Sequence, residues 1–322
     1  MTQMKQELIE SISTAIERGD MTYATDLATR YENEFLSAVA CLFGKGGSRS
    51  RRIKERILSL GDRLPDSMAS EIIKHGISGP DGQVRIRALQ AAYRRRLDTL
   101  NPELARLLEN KEEVFEVRKW IIHILATTDY RRFGKLIRKL ARDHSETVEI
   151  RREAVFALTN MTDDETIGTL CALLGDPLPQ IRQAAAWSLS KMSSPLSTSC
   201  LLAALEDGNS GVREWAIRAL RDMDDSRALQ GLAEAIRRSV PEEQVRLIRL
   251  VVEKRSDIIL RAITEALDSP SVEVRRVAAW ALGVTPYPPA ATSLQARLND
   301  EDQQTREYAW KALNRIGRVR DT

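Results

Sequence analysis

The apolar positions of this chain fall into one phrase that returns eight times. It reads VRIRALQAA from Val84, VRKWIIHIL from Val117, IRREAVFAL from Ile150, IRQAAAWSL from Ile181, VREWAIRAL from Val212, VRLIRLVVE from Val245, VRRVAAWAL from Val274 and TREYAWKAL from Thr305. Within one copy, Ile181, Ala185, Ser188, Leu189 and Met192 stand at i, i+4, i+7, i+8 and i+11, which places them on one face of an α-helix. The arginines of the phrase lie at 85, 118, 151, 182, 213, 246, 275 and 306, spaced by 33, 33, 31, 31, 33, 29 and 31 residues. Such a period holds two helices of about ten to fourteen residues and two short turns, so each unit is predicted to be a helical hairpin.

A second amphipathic stretch precedes each phrase. In SPLSTSCLLAALED, residues 194–207, Leu201, Leu202 and Leu205 supply a packing face, and Ser194 and Pro195 supply a helix start. Turn residues separate the pair: Gly175, Asp176 and Pro177 in one unit, Asp207, Gly208 and Asn209 in the next. The N-terminal part is less regular. Helices are predicted at about Met4 to Arg18 and Met21 to Phe43, joined by Gly19 and Asp20 as a stop and a cap. Counting 33 residues back from Arg85 reaches Arg52 in RRIKERILSLG, which marks a degenerate further unit. The expected organisation is a helical cap over residues 1–47, a degenerate first repeat over 48–74 and a repeat array over 75–322.

These phrases resemble HEAT repeats, specifically the HEAT-like type named for phycobilisome lyases, in which an Asp of the turn precedes the Val/Ile-Arg, Ala and Ala-Leu positions. Asp176 to Arg182, Asp207 to Arg213 and Asp300 to Arg306 match its six-residue spacing, and Asp268 to Arg275 is one residue longer. The resemblance covers roughly residues 75 to 317. It implies an all-α fold, a right-handed α-solenoid (superhelix) of about eight to nine HEAT-like helical-hairpin repeats. In that family each second helix lines the concave surface and each first helix the convex one. Two copies depart from the pattern: Arg249 and Glu253 replace the expected alanine and leucine after Arg246, and Ile121 replaces the alanine after Arg118. Looser packing or a bend is expected there.

Charge and composition narrow the function classes. Lys+Arg of 49 against Asp+Glu of 46 leaves a net +3, which excludes a uniformly basic nucleic-acid coat and confines electrostatic partners to local patches. Cys41, Cys171 and Cys200 are scattered, odd in number and without a CxxC pair, so a disulfide framework and a zinc knuckle are not expected and a reducing cytoplasm fits. No apolar run approaches the ~18 residues of a membrane span, and none suits a secretory signal. The run CLFGKGGSRSRRIKER, residues 41–56, fails as a phosphate loop: Gly46 follows Gly44-Lys45, and Val39 stands where the first glycine is needed. Gly44, Gly46 and Gly47 read as the break between cap and first repeat, leaving Lys45, Arg49 and Arg51 as a candidate mobile basic edge. His75, His123 and His144 lie in different repeats without paired ligand motifs, and no nucleophile elbow or dinucleotide fingerprint occurs. No catalytic residue, metal or cofactor is therefore expected.

The candidates for function lie on the second helices. Trp120, Trp187, Trp215, Trp280 and Trp310 all fall there, with Phe156 and Tyr308. At 100° per residue Trp187 turns away from the buried stripe, and by analogy so do Phe156 and Trp280. A partner-binding strip is expected from Trp120, Phe156, Trp187, Trp215, Arg218, Trp280 and Lys311, suited to a peptide or helix of another protein. Covering the groove between adjacent helices is the competing use of the same rings.

The repeated arginines are expected to bond acids and carbonyls of their own and neighbouring units. In YRRFGKLIRKLARD, residues 130–143, Phe133, Leu136, Ile137 and Leu140 make a buried face. Arg131, Arg132, Lys135, Arg138, Lys139 and Arg142 surround it and, with Arg94, Arg95 and Arg96, form either a phosphate-binding patch or a solvated basic face. The sequence thus reads as a non-enzymatic scaffold or adaptor that binds another protein, with nucleic-acid backbone binding as the alternative. A phycobilin lyase role rests on the repeat type alone, and a likeness to HEAT-like DNA glycosylases lacks an identifiable catalytic Asp.

Overall fold

Each copy of the phrase winds into the second helix of a hairpin, because its apolar positions recur at helical spacing and its start is capped. Asp81 accepts from the N–H groups of Gln83 and Val84 ahead of one copy, and Asn209 from Gly211 and Val212 ahead of another, satisfying donors that the first helical turn leaves open. Pro179 and Pro241 open two more copies. The computed structural model describes residues 3–44 and 48–320, whose regular elements are α-helices and short 3-10 turns.

Contacts divide the chain into two units, Met1–Met161 and Thr162–Thr322. Both boundaries expected from the sequence pattern, after residues 47 and 74, fall inside the first. That unit holds α1 (Gln3–Arg18), α2 (Met21–Arg30), α3 (Glu32–Gly44), α4 (Ser48–Gly61), α5 (Asp66–Ile77), α6 (Gly82–Arg95), α7 (Asn101–Leu108), α8 (Phe115–Thr128), α9 (Tyr130–Arg142) and α10 (Val148–Leu158). The second helices stack in a layer, α4 on α6, α6 on α8 and α8 on α10, while α3 packs on α5. Gly19 adopts φ 87°, open to glycine without strain, and Asp20 caps α2 through the Tyr23 N–H.

The helix expected over Met21 to Phe43 is instead two, broken at Tyr31, whose φ and ψ are −137° and 59°. A continuous helix would run about 34 Å; the break brings Leu27 and Ala28 of α2 and Phe35, Ala38 and Val39 of α3 into the core around α1.

The second unit holds α11 (Asp164–Leu173), α12 (Pro179–Met192), α13 (Thr198–Ala204), α14 (Ser210–Asp222), α15 (Ser226–Arg238), α16 (Pro241–Val251), α17 (Asp257–Glu265), α18 (Val272–Val284), α19 (Ala291–Ala296) and α20 (Gln303–Arg320). Its second helices α12, α14, α16, α18 and α20 lie side by side, and α13, α15 and α17 form the other layer. A Cβ on Gly231 would meet a Leu202 methyl carbon at 2.1 Å, so a larger residue on α15 would require that α13 side chain to move.

The structure corrects the register of two repeats. Around Arg246 the packing is not loosened; the repeat is displaced by two residues. Leu247 and Ile248 are buried, Arg249 is exposed, and the side-chain amide of Gln244 donates to the Ile236 carbonyl at 2.8 Å. Elsewhere the phrase arginine makes that inter-helix bond, as Arg118 does to Leu108 and Arg151 to Ala141, both at 3.1 Å. Gln244 therefore holds the arginine's place, and the places 182, 213, 244, 275 and 306 are spaced by 31 residues throughout.

Upstream, Lys54 is buried and lies 31 residues before Arg85, whereas Arg52 is exposed, so Lys54 and not Arg52 is in phase with the arginines. Ile121, the other departure, is fully buried.

The cysteine expectation is also corrected. Cys171 on α11 and Cys200 on α13 form a disulfide, with Cα atoms 5.6 Å apart, while Cys41 is free and exposed. Their separation of 29 residues is close to one repeat, so two cysteines remote in sequence become neighbours in adjacent hairpins.

Two outcomes test these corrections. Gln244→Ala should destabilise by about 1 kcal/mol through loss of a part-buried bond, whereas Arg246→Ala, whose ion pair is half exposed, should change stability by less than about 0.5 kcal/mol; equal losses in urea melts would return Arg246 to the register. Thiol titration of the unfolded chain should find one free thiol before reduction and three after it. Cys200→Ser should cost about 2 to 4 kcal/mol, with no such difference between parent and variant once the parent is reduced.

Candidate functional site

The repeated arginines face inward and are engaged. Arg182 forms two bonds to the Asp207 carboxylate, at 2.7 and 3.0 Å, and donates to the carbonyls of Asp176 and Pro177. Arg275 does the same with Asp300 and the carbonyls of Ser269 and Pro270, and reaches Glu301 as well. Arg118, 2% exposed, is bidentate to Glu146. Each planar guanidinium thus closes the turn of its own hairpin and grips an acid of the next.

The displaced repeat shows the same logic with other residues. Where Asp176, Asp207 and Asp300 stand, it has Arg238; Arg213 accordingly donates its two bonds to Glu243, at 3.1 and 3.3 Å. Ser269 fills the corresponding place in the following hairpin, opposite the uncharged Gln244.

The carboxylates respond to these contacts. The Arg182 guanidinium, helped by the Asn209 N–H, holds Asp207 below the ordinary Asp value despite burial. Burial pushes Asp300 up, but Arg275 and the Asp302 N–H outweigh it and the net shift is downward.

The seventh residue of the phrase forms a separate, solvent-facing ridge. In the second unit it is Trp187, Arg218, Arg249, Trp280 and Lys311, one from each second helix. Trp187 and Trp280 are half-buried. Lys191 lies 5.6 Å over the Trp187 ring, Arg218 lies 5.6 Å over Trp215 while bonded to Glu214, and Lys311 lies 5.6 Å over Tyr308. The ridge borders a cavity of about 440 Å³ between α16, α18 and α20, lined among others by Arg249, Glu273, Arg276, Trp280, Gln304 and Tyr308.

In the first unit Trp120 joins Tyr93 and His123 in a ring cluster with centroids 4.9 to 6.4 Å apart, and Phe156 is half-buried on α10. Trp310 stands apart from the ridge, 59% exposed at the sixth phrase position, where Ala186, Ile217 and Ala279 of other copies are buried. Arg249 escaped the sequence reading because the VR pair at 245 and 246 imitates the phrase two residues late; the spacings of 31 and 62 residues between Trp187, Arg218 and Trp280, one and two periods, were the available signal.

The basic candidates do not assemble as one patch. Arg94 pairs with Asp62 at 3.2 Å, and Arg95 bonds the carbonyls of Gly61 and Leu64 and the carboxylate of Asp66. Arg96 closes α6 with φ 52°. These three serve α6, which packs on α4, α5 and α8, whereas α9 packs on α8 and α10.

On α9, Arg131 lies against Tyr130 and Arg132 against Phe133, Arg138 and Arg142 are already engaged, and Lys135 and Lys139 are exposed. Leu136, expected in the buried face, is half-buried beside buried Phe133, Ile137 and Leu140. Of the expected basic edge, Lys45 and the Arg49 side chain lie outside the described residues, as do Gly46 and Gly47; Arg51 bonds Asp81 at 2.7 Å. Among the described residues no three His, Cys, Asp or Glu side chains converge as a metal set, and no helix is long and apolar enough to cross a membrane.

Comparison with known families and structures follows the repeat pattern. A model of HEAT repeats matches residues 134–209 and 260–322, and a model of the PBS lyase HEAT-like repeat matches 212–238. No curated protein matches the chain. A mutant of Kap121p is similar with TM-score 0.55 and 11% identity, over 97% of this chain and 41% of that one. Kap95p, in a structure concerned with its binding to RanGDP, gives TM-score 0.54 and 11% identity over 97% of this chain and 50% of that one. Human deoxyhypusine hydroxylase in complex with glycerol matches over 84% of this chain and 100% of that one at 17% identity, with TM-score 0.35. The two higher-scoring structures establish a shared α-solenoid fold, and the hydroxylase likeness carries no argument.

The arginine ladder has a pH signature. Because Asp207 is depressed in the folded state, its contribution is fully present above the unfolded value of about 3.9 and is lost as pH falls through the lower folded value. Asp207→Asn should therefore cost about 2 to 4 kcal/mol at pH 7, and the gap between parent and variant should narrow below about pH 4. Urea melts at both pH values measure it; a gap of constant size would remove the carboxylate charge as the cause.

Proposed function

The chain belongs to the HEAT-repeat proteins, of the PBS-lyase HEAT-like type, and on that premise we propose that it is a non-enzymatic scaffold holding another protein along its second-helix face. The observation that carries this reading is the division of labour between two positions of one phrase. The second residue, arginine in most copies, is turned into the turns and satisfied there, whereas the seventh presents half-buried rings and long cations to solvent on successive helices. Half-buried rings offer apolar area at small entropic cost, and arginine beside them adds directional bonds, the combination that dominates protein interfaces.

Trp120, Phe156, Trp187, Trp215, Arg218, Trp280 and Lys311 are the proposed contact residues, with Arg249 added from the corrected register. Binding to a phosphate backbone is the weaker reading, since Arg94 and Arg95 are tied to acids and carbonyls of the preceding repeat. A cytoplasmic setting stands or falls with Cys171 and Cys200: chain recovered from cells with both thiols free would support it, and chain recovered with them joined would oppose it.

The test is affinity purification from the source cells with and without nuclease, comparing the parent with a Trp187→Ala/Trp280→Ala variant. The expected result is one stoichiometric protein retained by the parent and reduced about tenfold or more by the variant, while thermal melts show the variant folded. Recovery of nucleic-acid-dependent material alone would sink the scaffold reading.

A further inference from the structure

Resting on that scaffold reading, we propose that the second unit recognises an extended acidic segment of its partner protein. Carboxylates of the segment would meet Arg218, Arg249 and Lys311, and its apolar side chains would meet Trp187 and Trp280. The first support is charge complementarity along one line of side chains. The five ridge residues comprise three cations, two indoles and no acid.

Arg249 is the anchor. It is exposed and, among the described residues, forms no ion pair or hydrogen bond, in contrast to Arg218 bridged to Glu214 and Arg276 bridged to Asp302. Arg249 lines the cavity of about 440 Å³ together with Trp280, Tyr308, Arg276 and one acid, Glu273. A carboxylate entering there would find an unpaired arginine among Trp280, Tyr308 and Gln304.

The second support is spacing. Packed helices lie about 8 to 10 Å apart, so successive ridge residues recur at about that interval. A polyproline II segment advances about 3.1 Å per residue with three residues per turn, so one face of such a segment meets one ridge residue every third position. Glu214, bonded to Arg218, and Glu273, in the lining of the cavity, flank the ridge, and Asp302 holds Arg276 beside it. A chain charged at every unit, such as a nucleic-acid backbone, would be repelled by them, whereas carboxylates separated by apolar residues can bypass them.

The probe is a fluorescein-labelled peptide of five Glu-Pro-Leu triplets, compared with the Gln-Pro-Leu and Lys-Pro-Leu peptides and with single-stranded oligouridine of similar length. Fluorescence anisotropy with the full chain at physiological salt should show the Glu peptide binding about tenfold or more tightly than the Gln peptide. Arg249→Glu should abolish that preference and confer binding of the Lys peptide, while Arg261→Glu, at an exposed position on α17 outside the ridge, should leave it unchanged. Equal binding of the Glu and Gln peptides, no binding of either, or a preference that survives Arg249→Glu would overturn the acidic-segment proposal. The scaffold reading fails separately, if Trp187→Ala/Trp280→Ala leaves capture of the stoichiometric partner intact. Tighter binding of oligouridine than of any peptide would overturn both. Arg249→Ala, which removes the charge without adding one, is the second variant if Arg249→Glu fails to fold, and loss of the Glu-over-Gln preference is again the expected result.

Discussion

A guanidinium held between the turn of one hairpin and a carboxylate of the next is the interaction on which the stack depends. The apolar stripes bring helices together, but they specify distance more than phase, since methyl groups slide past one another at small cost. Arginine specifies phase. Its rigid fork cannot reach the carbonyls of Asp176 and Pro177 and both oxygens of Asp207 unless the two hairpins stand at one offset. Because the charge is largely removed from water, leaving it half paired is expensive, and the constraint becomes a selection on both partners. The neutral pairing of Gln244 with the Ile236 carbonyl, in the repeat where Arg238 replaces the turn acid, is what such a rule permits.

The same rule explains what could and could not be read from residues alone. The hairpin architecture was legible because eight phrases share a helical stripe, and the ladder was legible because acid and arginine recur six residues apart. The register of one repeat was not, since Val245-Arg246 satisfies the pattern in letters while Gln244 satisfies it in space. The uneven spacings of 33 and 29 residues around it add up to two periods of 31. Likewise Arg52 resembles the ladder residue, and Lys54 is the one buried. The break at Tyr31 has no proline or glycine to announce it; it follows from the need of two apolar faces to reach α1.

Burial also sorts the chemistry of the surface. A count of arginines suggests basic patches everywhere, yet many of these side chains are consumed by turns, carbonyls and neighbouring acids. The ridge emerges by subtraction: its residues sit five places along the helix from the ladder and have no structural duty in the turns. For the candidate strip, the aromatic members were evident from helical geometry, whereas Arg249 depended on knowing which residue the fold counts as second.

The bond between Cys171 and Cys200 gives the second unit an uneven response to force. Pulled from its ends, a hairpin stack lengthens by releasing one repeat at a time, about 110 Å of extended chain for 31 residues. The 29-residue span between the two sulfurs cannot be paid out while the bond is intact, so about 100 Å of contour remains hidden. The α11 and α13 hairpins would then form a stiff segment, and extension would be taken up by their neighbours.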